Sequence, residues 1–250
     1  MSIAQPFRCL ALFLALLVLV LVSGCAHYMT PGAGVSIPAI ADSNIDQVMA
    51  RKPAASFPAH LVAARIQASG YESASNRGYG RGRYSVVTVR DIETEADFSR
   101  LGALEGVAAL GPLNRILLPE NLQSIQDLRE AAAQLRGDIL LVYTLDTSFH
   151  TEAQKIGPLQ LVSLGFFPNQ KSHVTTTCSA AFIDVRTGYL YGIAEATATE
   201  TQRSDLWSTQ SAIDTARLKA ERAAFAASVD EIAKTWASIN REYGHAAGTK

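Results

Sequence analysis

The apolar positions of this chain change their period several times. Leu10 to Val22 is an unbroken apolar run behind a short start that carries one cation, Arg8. Its roughly 13 residues are too few to cross a bilayer, which takes about 20. A charged start, a short apolar core and the small pair Ser23-Gly24 match a secretory signal over residues 1–24. From Cys25 to Pro58 no period is sustained. Pro31, Pro38, Pro53 and Pro58 punctuate that stretch, which predicts a flexible or extended tether over 25–58. Ser43 to Arg51 could form a short helix within it.

From residue 59 the pattern is that of one folded domain, predicted to run to residue 245 before a disordered tail, 246–250. Leu61 to Ala68 reads as a strand, Ser69 to Arg83 as a polar, glycine-rich loop, and Tyr84 to Arg90 as a β-branched strand. Phe98, Leu101, Leu104 or Glu105, and Ala108 recur at helical spacing after Thr94, up to Gly111-Pro112. Leu113 to Leu118 predicts a short strand. Pro119-Glu120-Asn121 predicts the start of a second helix, with Leu122, Ile125, Leu128, Ala132 and Leu135 on one face and Gly137 as its C′ residue. Ile139 to Leu145 is continuously apolar, as a strand covered on both faces would be. Val174 to Val185 and Tyr189 to Glu200 predict two long strands joined by a hairpin, with Asp184 bonding the turn and Gly188 at positive φ. The last segment carries Leu218, Phe225, Val229, Ile232, Trp236, Ile239 and Tyr243 on one stripe, with Lys219, Glu221, Arg222, Asp230, Glu231 and Lys234 off it. The predicted fold class is α/β: a mixed sheet flanked by helices, with a long C-terminal amphipathic helix packed on it.

Charge changes this picture little. Lysines and arginines number 22 against 23 acidic residues, and loss of Arg8 with the signal takes the formal charge from −1 to near −2. Nothing in that balance favours nucleic acid or anionic lipid as a partner.

The stretch Leu21-Val22-Ser23-Gly24-Cys25 resembles the lipobox of bacterial lipoproteins. The resemblance implies cleavage before Cys25, lipid on its thiol, and a membrane partner through that anchor. Ala26, rather than aspartate, follows the cysteine, which in diderm bacteria implies the inner leaflet of the outer membrane. With Cys9 removed and Cys25 acylated, Cys178 is left without a disulfide partner. In its strand-like setting it is predicted to be a buried small apolar residue. Two further stretches, Gly137-Asp-Ile-Leu-Leu-Val-Tyr-Thr-Leu-Asp146 and Phe182-Ile-Asp-Val-Arg-Thr-Gly-Tyr-Leu-Tyr191, resemble a pattern in three envelope families. These are the TolB amino-terminal domain, the lipoprotein activators of penicillin-binding proteins and the curli secretion channel lipoproteins. The resemblance covers about residues 85–245; the Gly-Asp turn lacks the middle alanine, and the segment before Tyr84 departs from those families. It implies a binding or assembly module, in some cases oligomeric, rather than an enzyme.

A search for chemistry agrees. The chain has no P-loop, HExxH, CxxC, GxSxG or EF-hand loop. His27, His60, His150, His173 and His245 lack ligand spacing, although His150 and His173 flank residues 151–172 and could meet at one end of the sheet. Gly78-Tyr-Gly-Arg-Gly-Arg83 fails as a dinucleotide fingerprint, since no apolar strand precedes it and no helix follows; it is a mobile loop or a patch for an anionic partner. Asp91, Glu93, Glu95 and Asp97 gather near a helix start, where its dipole favours them. The sharpest candidate is Leu159 to Pro168, which is too apolar for a loop left in water. It is either a flap on the core or a contact with a partner or the membrane through Leu161, Leu164, Phe166 and Phe167. The expectation is a periplasm-facing lipoprotein of the cell envelope that needs no cofactor and acts as a non-catalytic binding or assembly module with an envelope protein partner. Alternatives are a subunit of an oligomeric export channel or envelope machine, and an enzyme with an unrecognised site.

Overall fold

The computed structural model describes residues 33–40, 44–73, 76–153, 170–204 and 209–244. In chain order the elements are helices α1 (Ile37–Ile40) and α2 (Ile45–Ala50), strands β1 (Ala59–Ala68), β2 (Arg81–Gly82) and β3 (Tyr84–Val87), helix α3 (Glu95–Gly102), strand β4 (Val107–Pro112), a 3-10 turn (Arg115–Leu117), strand β5 (Asn121–Leu122), helix α4 (Ile125–Gln134), strands β6 (Ile139–Ala153), β7 (Gln170–Asp184) and β8 (Leu190–Ser204), and helix α5 (Thr209–Tyr243).

The main sheet has the order β3-β1-β6-β7-β8, with β4 beside the first half of β1. β1 runs parallel to β4 and β6 and antiparallel to β3, while β6, β7 and β8 are antiparallel to one another. The fold is therefore a mixed sheet with helices on both faces, as the patterning predicts. The apolar run at Ile139 is the central strand. Alternation along it sends Ile139, Leu141, Tyr143 and Leu145 to one core and Leu140 and Val142 to the other. The first core is closed by Phe225, Val229, Ile232, Trp236 and Ile239 of α5. The second is closed by Ile125, Leu128, Ala131 and Ala132 of α4 and by Ile40 of α1. Each large side chain buried this way contributes about 1.5–3 kcal/mol, which is why the stripe of α5 decides where that helix lies.

Several local expectations need correction. Thr94 does cap α3, in a capping box with Asp97, but the helix ends at Gly102. Gly106 then takes φ 81°, and Val107–Pro112 forms β4, so the helical spacing of Leu104 and Ala108 is a coincidence across a turn. Leu113 to Leu118 holds the 3-10 turn, capped by Asn114 Oδ1 accepting from Ile116 N–H at 3.1 Å. The second helix starts after Ser124, not at Pro119, and Ser124 and Asp127 form its capping box. Gly137 is not its C′ residue. Arg136, at φ 57°, fills that place, and the N–H groups of Arg136 and Gly137 donate to Ala133 O at 2.9 Å and Ala132 O at 3.0 Å.

The expected tether fails over its described part. Ala54 N–H donates to Asp184 Oδ2 at 2.7 Å, Ala55 N–H to the Tyr191 hydroxyl at 3.1 Å, and Thr187 Oγ1 to Lys52 O at 2.7 Å. Phe57 stacks on Trp236 with ring centroids 5.7 Å apart. Prolines were a poor guide here because an extended chain can bond to a folded surface as readily as it can float free.

Candidate functional site

Cys25, Leu161, Leu164, Phe166 and Phe167 lie outside the described residues. The strands that flank the predicted flap do bring His150 and His173 opposite each other in register. His173 is engaged further across the sheet, through Nδ1 and Thr201 Oγ1 at 3.0 Å. Among the described residues no group of three or more His, Cys, Asp or Glu side chains could hold a metal ion.

The Gly78–Arg83 segment is an organised loop. Tyr79 and Val86 exchange two backbone hydrogen bonds of 2.8 Å, and Arg81 N–H and Arg83 N–H donate to Glu120 O and Leu122 O. Gly78 lies so close to β3 that a Cβ there would be 2.5 Å from Ser85 Cβ. Arg77 and Arg81 line a surface cavity of about 410 Å³. They already face Glu72 and Glu120, at 2.6 and 3.5 Å, which blunts any attraction for an anionic partner. The acidic run is also divided: Asp97 caps α3, Glu95 pairs with Arg90 at 3.0 Å, and Asp91 and Glu93 turn inward.

That inward turn builds a buried charge network between the sheet and α5. Arg65, on β1, places Nη1 2.8 Å from Asp91 Oδ1 and 3.6 Å from Glu93 Oε1. Its Nη2 donates to the Tyr71 hydroxyl at 3.2 Å and lies 3.9 Å from Glu221 Oε2. Tyr143 donates to Glu93 Oε1 at 2.8 Å, and Arg217 Nη1 to Glu221 Oε2 at 2.7 Å. Burial alone would lower the Arg65 guanidinium, but Glu93, Tyr71, Asp91 and Glu221 outweigh it and hold the proton more tightly. Burial pushes the Glu221 carboxyl up, against the opposing pull of Arg217 and Arg65. Burial, reinforced by Glu93, raises the Tyr143 phenol well above its usual range. Among the described residues, Arg65 Nε and Arg217 Nε and Nη2 are buried with no hydrogen-bond partner. Such networks add little net stability; this one ties β1, β6, the 91–93 loop and α5 together at named atoms. Cys178, on the same side of the sheet, is fully buried, and burial pushes its thiol up to about 11. It is a core residue, as predicted, and too weak an acid to serve as a nucleophile near neutral pH.

The opposite face of the sheet carries the strongest candidate site. Val142, Thr144 and Asp146 of β6, Ser179 and Ala181 of β7, and Ile193 and Glu195 of β8 share this face by strand alternation and register. Residues 33–40 cross it: Ala33 O accepts from Ala68 N–H at 3.0 Å, and Val35 N–H donates to Thr144 Oγ1 at 3.1 Å. Between that segment and the strands runs a groove of about 660 Å³, lined by Val35, Ile37, Pro38, Ile66, Val142, Leu190 and Ile193, with Asp146, Ser179 and Glu195 as polar wall. Ile193 is 70% exposed, an unusual position for isoleucine on a strand. Ser179 Oγ donates to Glu195 Oε2 at 2.8 Å and fixes that carboxylate on the wall. Beyond the groove the face becomes a threonine ladder, with Thr177–Thr197 and Thr175–Thr199 hydroxyl pairs at 2.8 and 2.9 Å. The arrangement offers apolar area, shape and hydrogen-bond acceptors to a molecule laid along the strands. The strand that carries Ile193 was visible in the sequence, but the wall formed by residues 33–40 was not.

No family model and no curated protein matches the chain. Among solved structures it is similar to a Xanthomonas campestris protein of family DUF330, with 12% identity, 76% of this chain and 91% of that chain covered, and a TM-score of 0.32. It is similar to lipoprotein GNA1162 from Neisseria meningitidis, with 14% identity, 65% and 96% covered, and a TM-score of 0.33. It is also similar to a PelC dodecamer from Paraburkholderia phytofirmans, with 13% identity, 69% and 92% covered, and a TM-score of 0.25. At these identities and TM-scores the similarities assign no family, ligand or assembly to this chain.

Proposed function

We propose that this chain is a lipoprotein of the bacterial cell envelope, anchored through acyl chains on Cys25 and facing the periplasm, in the outer membrane if the host is diderm. Its domain acts as a non-catalytic binding or assembly module for an envelope protein. The groove beside Ile193 carries this reading: it presents apolar side chains and fixed acceptors on a rigid sheet, the composition of a recognition surface. Leu161, Leu164, Phe166 and Phe167 are proposed as a second contact of the same module. The test is a photo-crosslinking residue at position 193 of the membrane-anchored protein in intact cells, with position 219, on the exposed side of α5, as control. A discrete covalent adduct at 193 and none at 219 is expected. Equal labelling at both positions, or none at either, would refute the groove as the recognition surface.

A second reading, a subunit of an oligomeric envelope machine, is favoured by β8. This edge strand, Leu190–Ser204, pairs with β7 alone among the described residues; Thr235 Oγ1 of α5 donates to Ile193 O at 3.2 Å, and the outer backbone edge past that contact is a template for another strand. Light scattering of the acylated protein in detergent separates the readings; a monomer at high concentration retires the oligomer.

A further inference from the structure

Helix α2 exposes all six of its residues, and three of them are large and apolar. Ile45, Val48 and Met49 are 76%, 44% and 81% exposed, and none of the helix's residues is buried. Their spacing of three and four places all three on one helical face, beside the polar Asp46 and Gln47. A short surface helix ordinarily turns such a face toward the core. This one is capped by Asn44 Oδ1, which accepts from Gln47 N–H at 3.2 Å, and is tied to the domain just past its end, where Arg51 Nη1 donates to Gly188 O at 3.3 Å.

We infer that this face docks on the bilayer that carries the lipid anchor, an inference that rests on the proposed acylation of Cys25. The length of chain before the described residues points to that occupant. Ala33 is already pinned to β1 through Ala68 N–H, so only residues 26–32 separate it from Cys25. Fully extended, the eight steps from Cys25 to Ala33 reach about 28 Å at most. A domain on so short a leash meets its own membrane at high effective concentration. A helix of one and a half turns with three apolar side chains would bind lipid too weakly on its own; on this leash it needs only to orient a domain that is already there. A bilayer also demands no matching pocket, which suits a small apolar face, and the exposed Lys52 follows directly in the chain.

The test uses the full acylated protein in vesicles of phosphatidylethanolamine and phosphatidylglycerol. An environment-sensitive fluorophore is placed on Met49→Cys, and on Lys219→Cys as control; both positions are exposed, and Cys178 is buried. The Met49 label is expected to shift to the blue and to be quenched by lipids brominated in the upper acyl chain several-fold more than the Lys219 label. Equal quenching at both positions overturns the inference. So does a Met49 label that stays in water in pure lipid vesicles but is shielded in whole envelopes, because a protein then covers the face. Mass spectrometry of the amino terminus separates the two readings. Acylated Cys25 with Met49 in water defeats the docking alone, whereas an unacylated Cys25 defeats both.

Discussion

Asp184 joins the segment before β1 to the hairpin between β7 and β8. Its Oδ1 accepts from the N–H groups of Arg186 and Thr187 at 2.8 and 2.9 Å, and its Oδ2 from Ala54 N–H at 2.7 Å and the Tyr191 hydroxyl at 2.8 Å. Burial by itself would raise this carboxyl, but the bonds from Thr187, Ala54, Tyr191 and Arg186 outweigh it and leave the group below its usual range. A carboxyl depressed in the folded state stabilises the fold above its unfolded value of about 3.9; that contribution drains away as pH falls through the folded value. Asp184→Asn keeps the shape and can keep the Oδ1 bonds, but it turns an amide N–H₂ toward Ala54 N–H. We expect a loss of about 2–3 kcal/mol at pH 7 in urea denaturation, shrinking as the comparison is repeated below pH 3. A gap that stays constant down to pH 2 would show that the carboxylate is not the acceptor that matters. Half of this site was legible in the sequence. The Asp-x-x-Thr-Gly hairpin announces the turn bonds of Oδ1 because donor and acceptor lie within three residues. The Oδ2 bond to Ala54 spans 130 residues, and no local pattern marks it.

At the scale of elements, the end of α4 shows how two different physical demands leave the same sequence trace. A glycine after a helical stripe suggests a C′ residue at positive φ, yet that conformation falls to Arg136, at φ 57°. Gly137 answers a different need: a Cβ there would sit 2.6 Å from Val62 Cγ2 on β1, so the glycine lets helix and strand approach. The two substitutions should therefore have opposite signs. Gly137→Ala must push β1 away and is expected to cost about 1–3 kcal/mol. Arg136→Gly removes left-handed backbone strain and is expected to be neutral or to stabilise by up to about 1 kcal/mol. Thermal denaturation of the two variants decides it; destabilisation by Arg136→Gly with a silent Gly137→Ala would restore the simple C′ assignment. Helix α5 carries the same lesson. Its stripe was readable from Phe225 onward, but the step of seven from Leu218 hides Glu221, which lies four residues before Phe225 and is buried beside Arg65 and Arg217. A charged residue at a stripe position signals a buried ion pair only once its partners are known, and Arg65 comes from β1, more than 150 residues earlier in the chain.

For the whole molecule, the question is where the folding unit begins. The sheet, its hairpin and its long covering helix follow from periodicity, because burial on two faces writes itself into alternation and into the three-four stripe. The segment before β1 does not, because its attachment runs through backbone groups and single side chains that leave no period. Residues 52–57 nonetheless close the core: Phe57 stacks on Trp236, the Ala54 and Ala55 N–H groups satisfy Asp184 and Tyr191, and Lys52 O accepts from Thr187. A chain that starts at residue 59 would uncover the side of Trp236 on which Phe57 stacks and remove one of the four hydrogen bonds to the buried Asp184 carboxylate. One that starts at residue 33 keeps every one of these contacts. Summing the lost aromatic burial and the unmade hydrogen bonds, we expect the shorter chain to be less stable by about 4 kcal/mol, with near-ultraviolet circular dichroism changed around Trp236. Equal midpoints in urea for the two chains would mean that the segment is a tether after all and that the leash from Cys25 runs as far as residue 58. With the anchor proposed at Cys25, an arm that is part of the fold would hold the domain within about 28 Å of it, and the side facing the membrane would be set by the protein's own structure rather than by a random swing on a long linker.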